Sequence, residues 1–364
     1  MSYTRFHKKS LPTLLSTVVL LAVGNQAAAS TLNQNVSWTI DRPGTSTVYR
    51  VVAYGDSIFA GYNGSVTSAA KYAAPTVDAE YLSAQWNADI ESVRRTKSGA
   101  VASDVYNNKI VAERSYMQAS NTRVVAFEMC GNDGLQARTA FKSQTGTCDD
   151  SVLTAAESSC KTYVGAAMDY INANAYSGVK LKLVSNLHYP GYSADNVQSS
   201  CKDPSTGKTV NMQEKFLPSL VRINFAMCDL ARQKGFACAD NFAQYMGADY
   251  DSNGDGKIDS EALRYVSGES QASYVTRITS TLRSTLRDAN THFVSSGSSY
   301  DYIQSDDTHP TYSGSTVTAG LFGGSTGTGA PRYSSFSGGK NPIWNQYGHE
   351  RMGWAVSTYN VATP

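Results

Sequence analysis

The chain carries little charge. Only 17% of its 364 residues are Asp, Glu, Lys or Arg, and 31 basic residues against 30 acidic ones leave a formal net charge of +1. A balance this close to zero argues against the basic footprint of a nucleic-acid-binding protein and against a polybasic patch for anionic membranes. Long apolar runs are also missing. No segment beyond the N-terminus approaches the roughly 20 apolar residues that a membrane-spanning helix needs. There is no Cys-x-x-Cys pair, and no His stands at ligand spacing from a Cys, which argues against a cysteine-based metal site. No internal repeat is visible.

Apolar residues make up 41% of the chain, enough to bury a substantial core. Arg5, His7, Lys8 and Lys9 form a basic start, Leu11–Val23 is mostly apolar, and Ala27-Ala28-Ala29 offers small residues for cleavage. Residues 1–29 therefore read as a signal peptide, and residues 30–364 as one exported domain, secreted or periplasmic. Without residues 1–29, which hold three basic residues and no acid, the balance turns slightly acidic. All six cysteines, Cys130, Cys148, Cys160, Cys201, Cys228 and Cys238, lie beyond that point. An even count in an exported chain predicts three disulfides. The expected pairing is Cys130–Cys201, because both residues follow expected strands at the same end of the sheet, with the sequence neighbours Cys148–Cys160 and Cys228–Cys238.

Residues 30–48 are polar and read as an exposed lead-in. Strands are expected at 49–54, 123–129, 179–184 and 235–239, and helices at 79–86, 152–173, 216–233 and 274–293. Strands alternating with helices predict a parallel sheet covered on both faces. Two segments break the rhythm: the acidic, turn-like 247–263 and the Gly/Ser-rich 313–340, both read as insertions.

Four blocks carry chemistry. Gly55-Asp56-Ser57-Ile58-Phe59-Ala60-Gly61 follows the first strand, so Ser57 falls at the carboxyl edge of the sheet, where open α/β folds bind ligands. A serine there can attack a carbonyl, or simply cap a helix. In Asp306-Asp307-Thr308-His309-Pro310, a carboxylate three residues before a histidine can reach its ring and fix the tautomer, while Pro310 holds His309 extended. Cys130-Gly131-Asn132-Asp133 places an amide at a second strand end, where its N–H can face a developing oxyanion. In Ser98-Gly99-Ala100, Gly99 allows a close backbone approach.

In this order the blocks resemble those of the SGNH subgroup of the GDSL esterases and lipases, over roughly residues 48–354. The resemblance implies a three-layer α/β/α sandwich with a parallel sheet of about five strands, and a serine carboxylic ester hydrolase. Carried over block by block, Ser57 is the nucleophile, His309 the base and Asp306 its partner. The Ser57 and Gly99 N–H groups and Asn132 are the oxyanion donors. No cofactor is implied for catalysis. In the family the His-Pro block runs straight into a Gly-His and a final helix. Here Gly348-His349 looks like that continuation, displaced by 313–340. His349 is the rival base, but it lacks an acid three residues back.

Two further motifs need weighing. Gly323-Gly324-Ser325-Thr326-Gly327 fits the G-x-S-x-G nucleophile elbow, but no strand-then-helix context surrounds it. Asp251, Asn253, Asp255, Lys257 (through its carbonyl) and Asp259 are spaced like a calcium loop, with Gly256 at the turn. The twelfth position is Ala262 where an acid is usual, with Glu261 one residue early. A structural calcium is therefore a candidate ligand. The expected substrates are small-molecule, lipid or acylated-glycan esters. A polysaccharide O-acetyl esterase, an acyltransferase and a calcium-dependent binding module with a vestigial triad stay open as alternatives.

Overall fold

A computed structural model describes residues 33–65, 67–191, 193–246, 263–284, 302–319, 325–332 and 347–364. Seven strands form the main sheet: β1 (Val36–Ile40), β2 (Val48–Gly55), β3 (Asp89–Thr96), β4 (Thr122–Phe127), β5 (Leu181–Ser185), β6 (Ala237–Ala239) and β7 (Ser325–Gly329). Their order is β6-β5-β4-β2-β3-β1-β7. From β6 to β3 every pair is parallel, which gives the five parallel strands that the resemblance implies. β1 then joins β3 antiparallel, and β7 joins β1 parallel.

The strands alternate between two cores, as a sheet buried on both faces must. Val52, Tyr54, Val93, Val125, Phe127 and Val184 point to one face. There they meet helices α4 (Ser151–Asn174), α5 (Met212–Lys234) and α6 (Gln271–Ser284) through residues such as Val164, Leu220 and Ile278. Val51, Ala53, Val124, Ala126 and Leu183 point to the other face. That face is covered by α2 (Ala74–Trp86) and α7 (Gly348–Ser357), through Ala79, Leu82, Met352 and Val356. The short α1 (Ser57–Ala60) follows β2, and α3 (Gly131–Lys142) follows β4. The result is a three-layer α/β/α sandwich.

Three expectations need correction. Residues 30–48 are not an exposed lead-in: β1 lies within them, and Gln34, Asn35 and Val36 are buried. The segment 313–340, which shows no helical or strand period in its sequence, nevertheless forms strands. Thr316–Thr318 pairs antiparallel with Ser68–Ala70, and β7 joins the main sheet. The signal that failed was apolar periodicity, because β7 reads STGTG and contains no apolar side chain. Its glycines lie under Trp38 of β1, so close that a Cβ on Gly327 would come within 2.0 Å of the indole ring.

The disulfide pairing is the third correction. The bonds are Cys130–Cys160, Cys148–Cys201 and Cys228–Cys238, so only the last was expected. Cys201 does not follow a main-sheet strand. It lies in Gln198–Lys202, which pairs with Gly146–Thr147 and Thr209–Asn211 in a separate small sheet, and this brings it to Cys148. Cys160, on α4, packs against the start of α3 and so meets Cys130.

Candidate active site

The sheet order explains why residues far apart in sequence meet. β2 is the middle strand, with β4 on one side and β3 on the other, all parallel. Their carboxyl ends therefore open on the same edge, where the chain order reverses around β2. Ser57 follows β2, Asn132 follows β4, and Gly99 follows β3.

Ser57 begins α1, but the cap is Asp56, whose Oδ1 accepts the Ile58 N–H at 2.9 Å. The serine hydroxyl is thus left for another partner. Gly61 closes this single turn in the left-handed region, at φ 74°, where glycine is at ease. His309 Nε2 lies 2.8 Å from Ser57 Oγ, across 252 residues of sequence. Its Nδ1 lies 2.5 Å from Asp306 Oδ2. Asp306 Oδ1 also accepts the backbone N–H groups of Thr308 (3.1 Å) and His309 (3.0 Å), so one carboxyl folds the loop and orients the ring. Burial works to raise the Asp306 pKa. The His309 hydrogen bond and charge and the two backbone N–H bonds outweigh it, and the group lies below its ordinary value.

The loop itself is held from several sides. Ile303 bridges Pro310, and Gln304 donates from Nε2 to the Tyr62 and Pro310 carbonyls at 2.8 Å each. The Tyr62 ring lies 4.5 Å from the His309 ring. His188 is within 2.8 Å of the Thr308 carbonyl through Nε2. Burial pulls the His188 pKa down to about 4, so at neutral pH the ring is uncharged and its N–H is the donor.

Asn132 is half-buried, and its Nδ2 donates to Asp56 Oδ2 at 3.0 Å and to the Ala100 carbonyl at 2.9 Å. This fixes the amide between the β2 and β3 ends. Its neighbour Asp133 accepts from the Ala102 N–H at 2.7 Å and from the Ser159 hydroxyl at 3.2 Å, which ties the Gly99 loop to α3. Gly99 has φ 77°, a second position where the backbone requires glycine. Among the described residues, neither the Ser57 nor the Gly99 N–H has an acceptor. A pocket opens beside Ser57 and Asn132, with apolar walls from Leu135, Leu187, Phe216, Leu220 and Met352.

His349 does not reach this site. It is buried in α7, where Nδ1 accepts the Ala74 N–H at 3.4 Å, and burial holds its pKa down at about 3. Ser325 is the first residue of an edge strand, and no helix begins in the described residues 330–332 that follow it directly. The calcium-loop residues Asp251, Asn253, Asp255, Lys257 and Asp259 lie outside the described residues. Sequence reasoning passed over Asp56, Glu128, Asp133, His188 and Gln304. Of these only Asp56 and Asp133 carried a local signal, as acids beside a candidate nucleophile and a candidate oxyanion donor.

No family model matches the chain, and no curated protein matches its sequence. Among solved structures, a lipase from a goat rumen metagenome is 15% identical over 65% of this chain and 96% of its own, at a TM-score of 0.41. Phospholipase A1 from Streptomyces albidoflavus NA297 is 18% identical over 64% and 98%, at 0.38. A variant of an acetyl xylan esterase from Geobacillus stearothermophilus is 12% identical over 65% and 93%, at 0.34. At these identities the activity of the present chain rests on its own site.

Proposed function

We propose that the protein is a serine hydrolase of carboxylic esters. The single observation that carries this reading is the unbroken contact chain Ser57 Oγ, His309 Nε2, His309 Nδ1, Asp306 Oδ2, at 2.8 and 2.5 Å. A hydroxyl becomes a useful nucleophile when a positioned base takes its proton, and a carboxylate on the far ring nitrogen steadies the imidazolium that results.

In the reaction, Ser57 Oγ bonds to the ester carbonyl carbon while its proton moves to His309 Nε2. The carbonyl oxygen gains negative charge and meets the Ser57 and Gly99 N–H groups and one Asn132 Nδ2–H, which gives up the Ala100 carbonyl for it while the other stays on Asp56. As the tetrahedral intermediate collapses, the bond to the alcohol oxygen breaks and His309 gives that oxygen its proton. Water then repeats the sequence on the acyl-enzyme, with its proton passing to His309 and on to Ser57. No cofactor enters these steps. The apolar pocket beside Ser57 is suited to the acyl part of the ester. Export through residues 1–29 belongs to the same reading, and N-terminal sequencing of protein recovered outside the cytoplasm checks it.

The test is hydrolysis of p-nitrophenyl esters from acetate to palmitate by the mature chain beside Ser57→Ala. The reading expects turnover that Ser57→Ala lowers on the order of 10⁴-fold or more. Turnover that survives in Ser57→Ala contradicts it.

A further inference from the structure

Behind Ser57 two carboxyl groups share one buried space. Asp56 follows β2 and Glu128 follows β4, each is 1% exposed, and the Glu128 N–H bonds the Tyr54 carbonyl at 3.0 Å. Adjacent parallel strands thus deliver both acids to the same wall of the Ser57 pocket. Two glycines make room for them. A Cβ on Gly55 would come 3.3 Å from Glu128 Oε2, and one on Gly131 would come 3.1 Å from Asp56 Oδ2 and 3.7 Å from Glu128 Oε1.

The two acids differ in their partners. Asp56 accepts from Ile58 N on one oxygen and from Asn132 Nδ2 on the other. Among the described residues, Glu128 receives no N–H or O–H donor at either oxygen. A bare carboxylate buried in that state is very costly, and two facing carboxylates cannot both be ionised. Neither can donate to the other unless one holds a proton. Burial, and then the Asp56 charge and hydrogen bond, push Glu128 well above its ordinary pKa. Burial also raises Asp56, but the bond from Glu128, the Ile58 N–H and the charge of His309 oppose the rise, with the Asp133 charge acting in the raising direction. Asp56 has two N–H donors to hold its charge and Glu128 has none, so the proton belongs to Glu128.

We propose that Glu128 is a positioning residue: as a neutral acid it donates a hydrogen bond to the Asp56 carboxylate, which in turn holds the start of α1 through Ile58 and aims the Asn132 amide. Its effect on turnover rests on the reading of Ser57 as nucleophile, whereas its protonation does not. Two measurements separate these. The first is the infrared difference spectrum of wild type minus Glu128→Gln at neutral pH. It is expected to contain the carbonyl stretch of a protonated carboxylic acid, and its absence overturns the proposal whatever the activity. The second is steady-state kinetics of Glu128→Gln and Glu128→Leu. Gln keeps a neutral donor and is expected to stay within about 3-fold of wild-type kcat. Leu is expected to lose about 10- to 100-fold in kcat with KM nearly unchanged, since small misplacement of a transition-state donor costs that much. Equal losses in the two variants, or a Leu effect confined to KM, overturn it. Turnover persisting in Ser57→Ala would instead remove the nucleophile reading and leave the infrared result standing.

Discussion

Five strands of the main sheet, β6 to β3, run parallel and are buried on both faces. The two beyond them, β1 and β7, are a short half-exposed strand and a strand of five small residues. The first group supplies Ser57, Gly99 and Asn132 from three adjacent strand ends, while the second supplies none of the site. What β1 and β7 do is cover the edge of β3, where open N–H and C=O groups would otherwise invite other chains to pair. The candidate site and edge protection are thus separable in this sheet, and substitutions should sort cleanly between them.

The largest separation is expected at His309. His309→Asn removes the proposed base, and kcat should fall on the order of 10⁴-fold with the thermal midpoint nearly unchanged. Asn132→Ala should follow with about a 10²- to 10³-fold loss in kcat. Chain-length kinetics alongside circular dichroism melts checks both, and a large fall in stability would break the division. Gly327→Val is the converse test. Its side chain would have to displace Trp38, on which Lys71 Nζ stacks at 4.0 Å. Urea unfolding should show a loss of about 1–3 kcal/mol, while kcat per folded molecule stays at the wild-type level.

Cys130 sharpens the comparison, because it belongs to the parallel half yet carries strain. It stands at φ 85°, a left-handed value that costs an L-residue roughly 1–2 kcal/mol, and it caps the helix that bears Asn132. With its bond to Cys160 removed, Cys130→Ala/Cys160→Ala should be less stable than Cys130→Gly/Cys160→Ala by about 1 kcal/mol, and should show the lower kcat. Equal stability in the two double variants would mean that the left-handed conformation relaxes once the disulfide is gone.

The last effect is one of pH. His188 is buried and neutral, with its folded-state pKa depressed to about 4 from an ordinary 6.5. A depressed histidine means that the unfolded chain binds the proton first. Stability from this group is complete above pH 6.5 and declines as pH falls towards 4, at up to about 1.4 kcal/mol per pH unit. His188→Gln should lose less stability than wild type over that window in urea titrations. Parallel curves would show that the ring is not held neutral.

The same division governs what could be read from the sequence. Strands such as Val51-Val52-Ala53-Tyr54 and Val124-Val125-Ala126-Phe127 are legible because burial on both faces demands continuous apolar runs. β1 was not, because only Val36 and Ile40 of VSWTI are buried, and β7 was not, because its contribution is the absence of side chains under Trp38. Ser57, Asp306 and His309 were legible because each stands in a short block whose spacing has a local reason. Glu128 was not, since a lone acid at a strand end looks like any surface residue until the neighbouring strand brings Asp56 against it. Disulfides failed for a related reason: Cys201 reads as following a strand, but its strand belongs to the small outer sheet.

The most direct test of Ser57 as a base-activated nucleophile is labelling with a fluorophosphonate ester, followed by peptide mapping, in wild type and His309→Asn. Phosphorylation of one serine, Ser57, with a rate that collapses in His309→Asn, is the predicted result. Labelling at Ser325 or elsewhere, or labelling of Ser57 at an undiminished rate without His309, would contradict it.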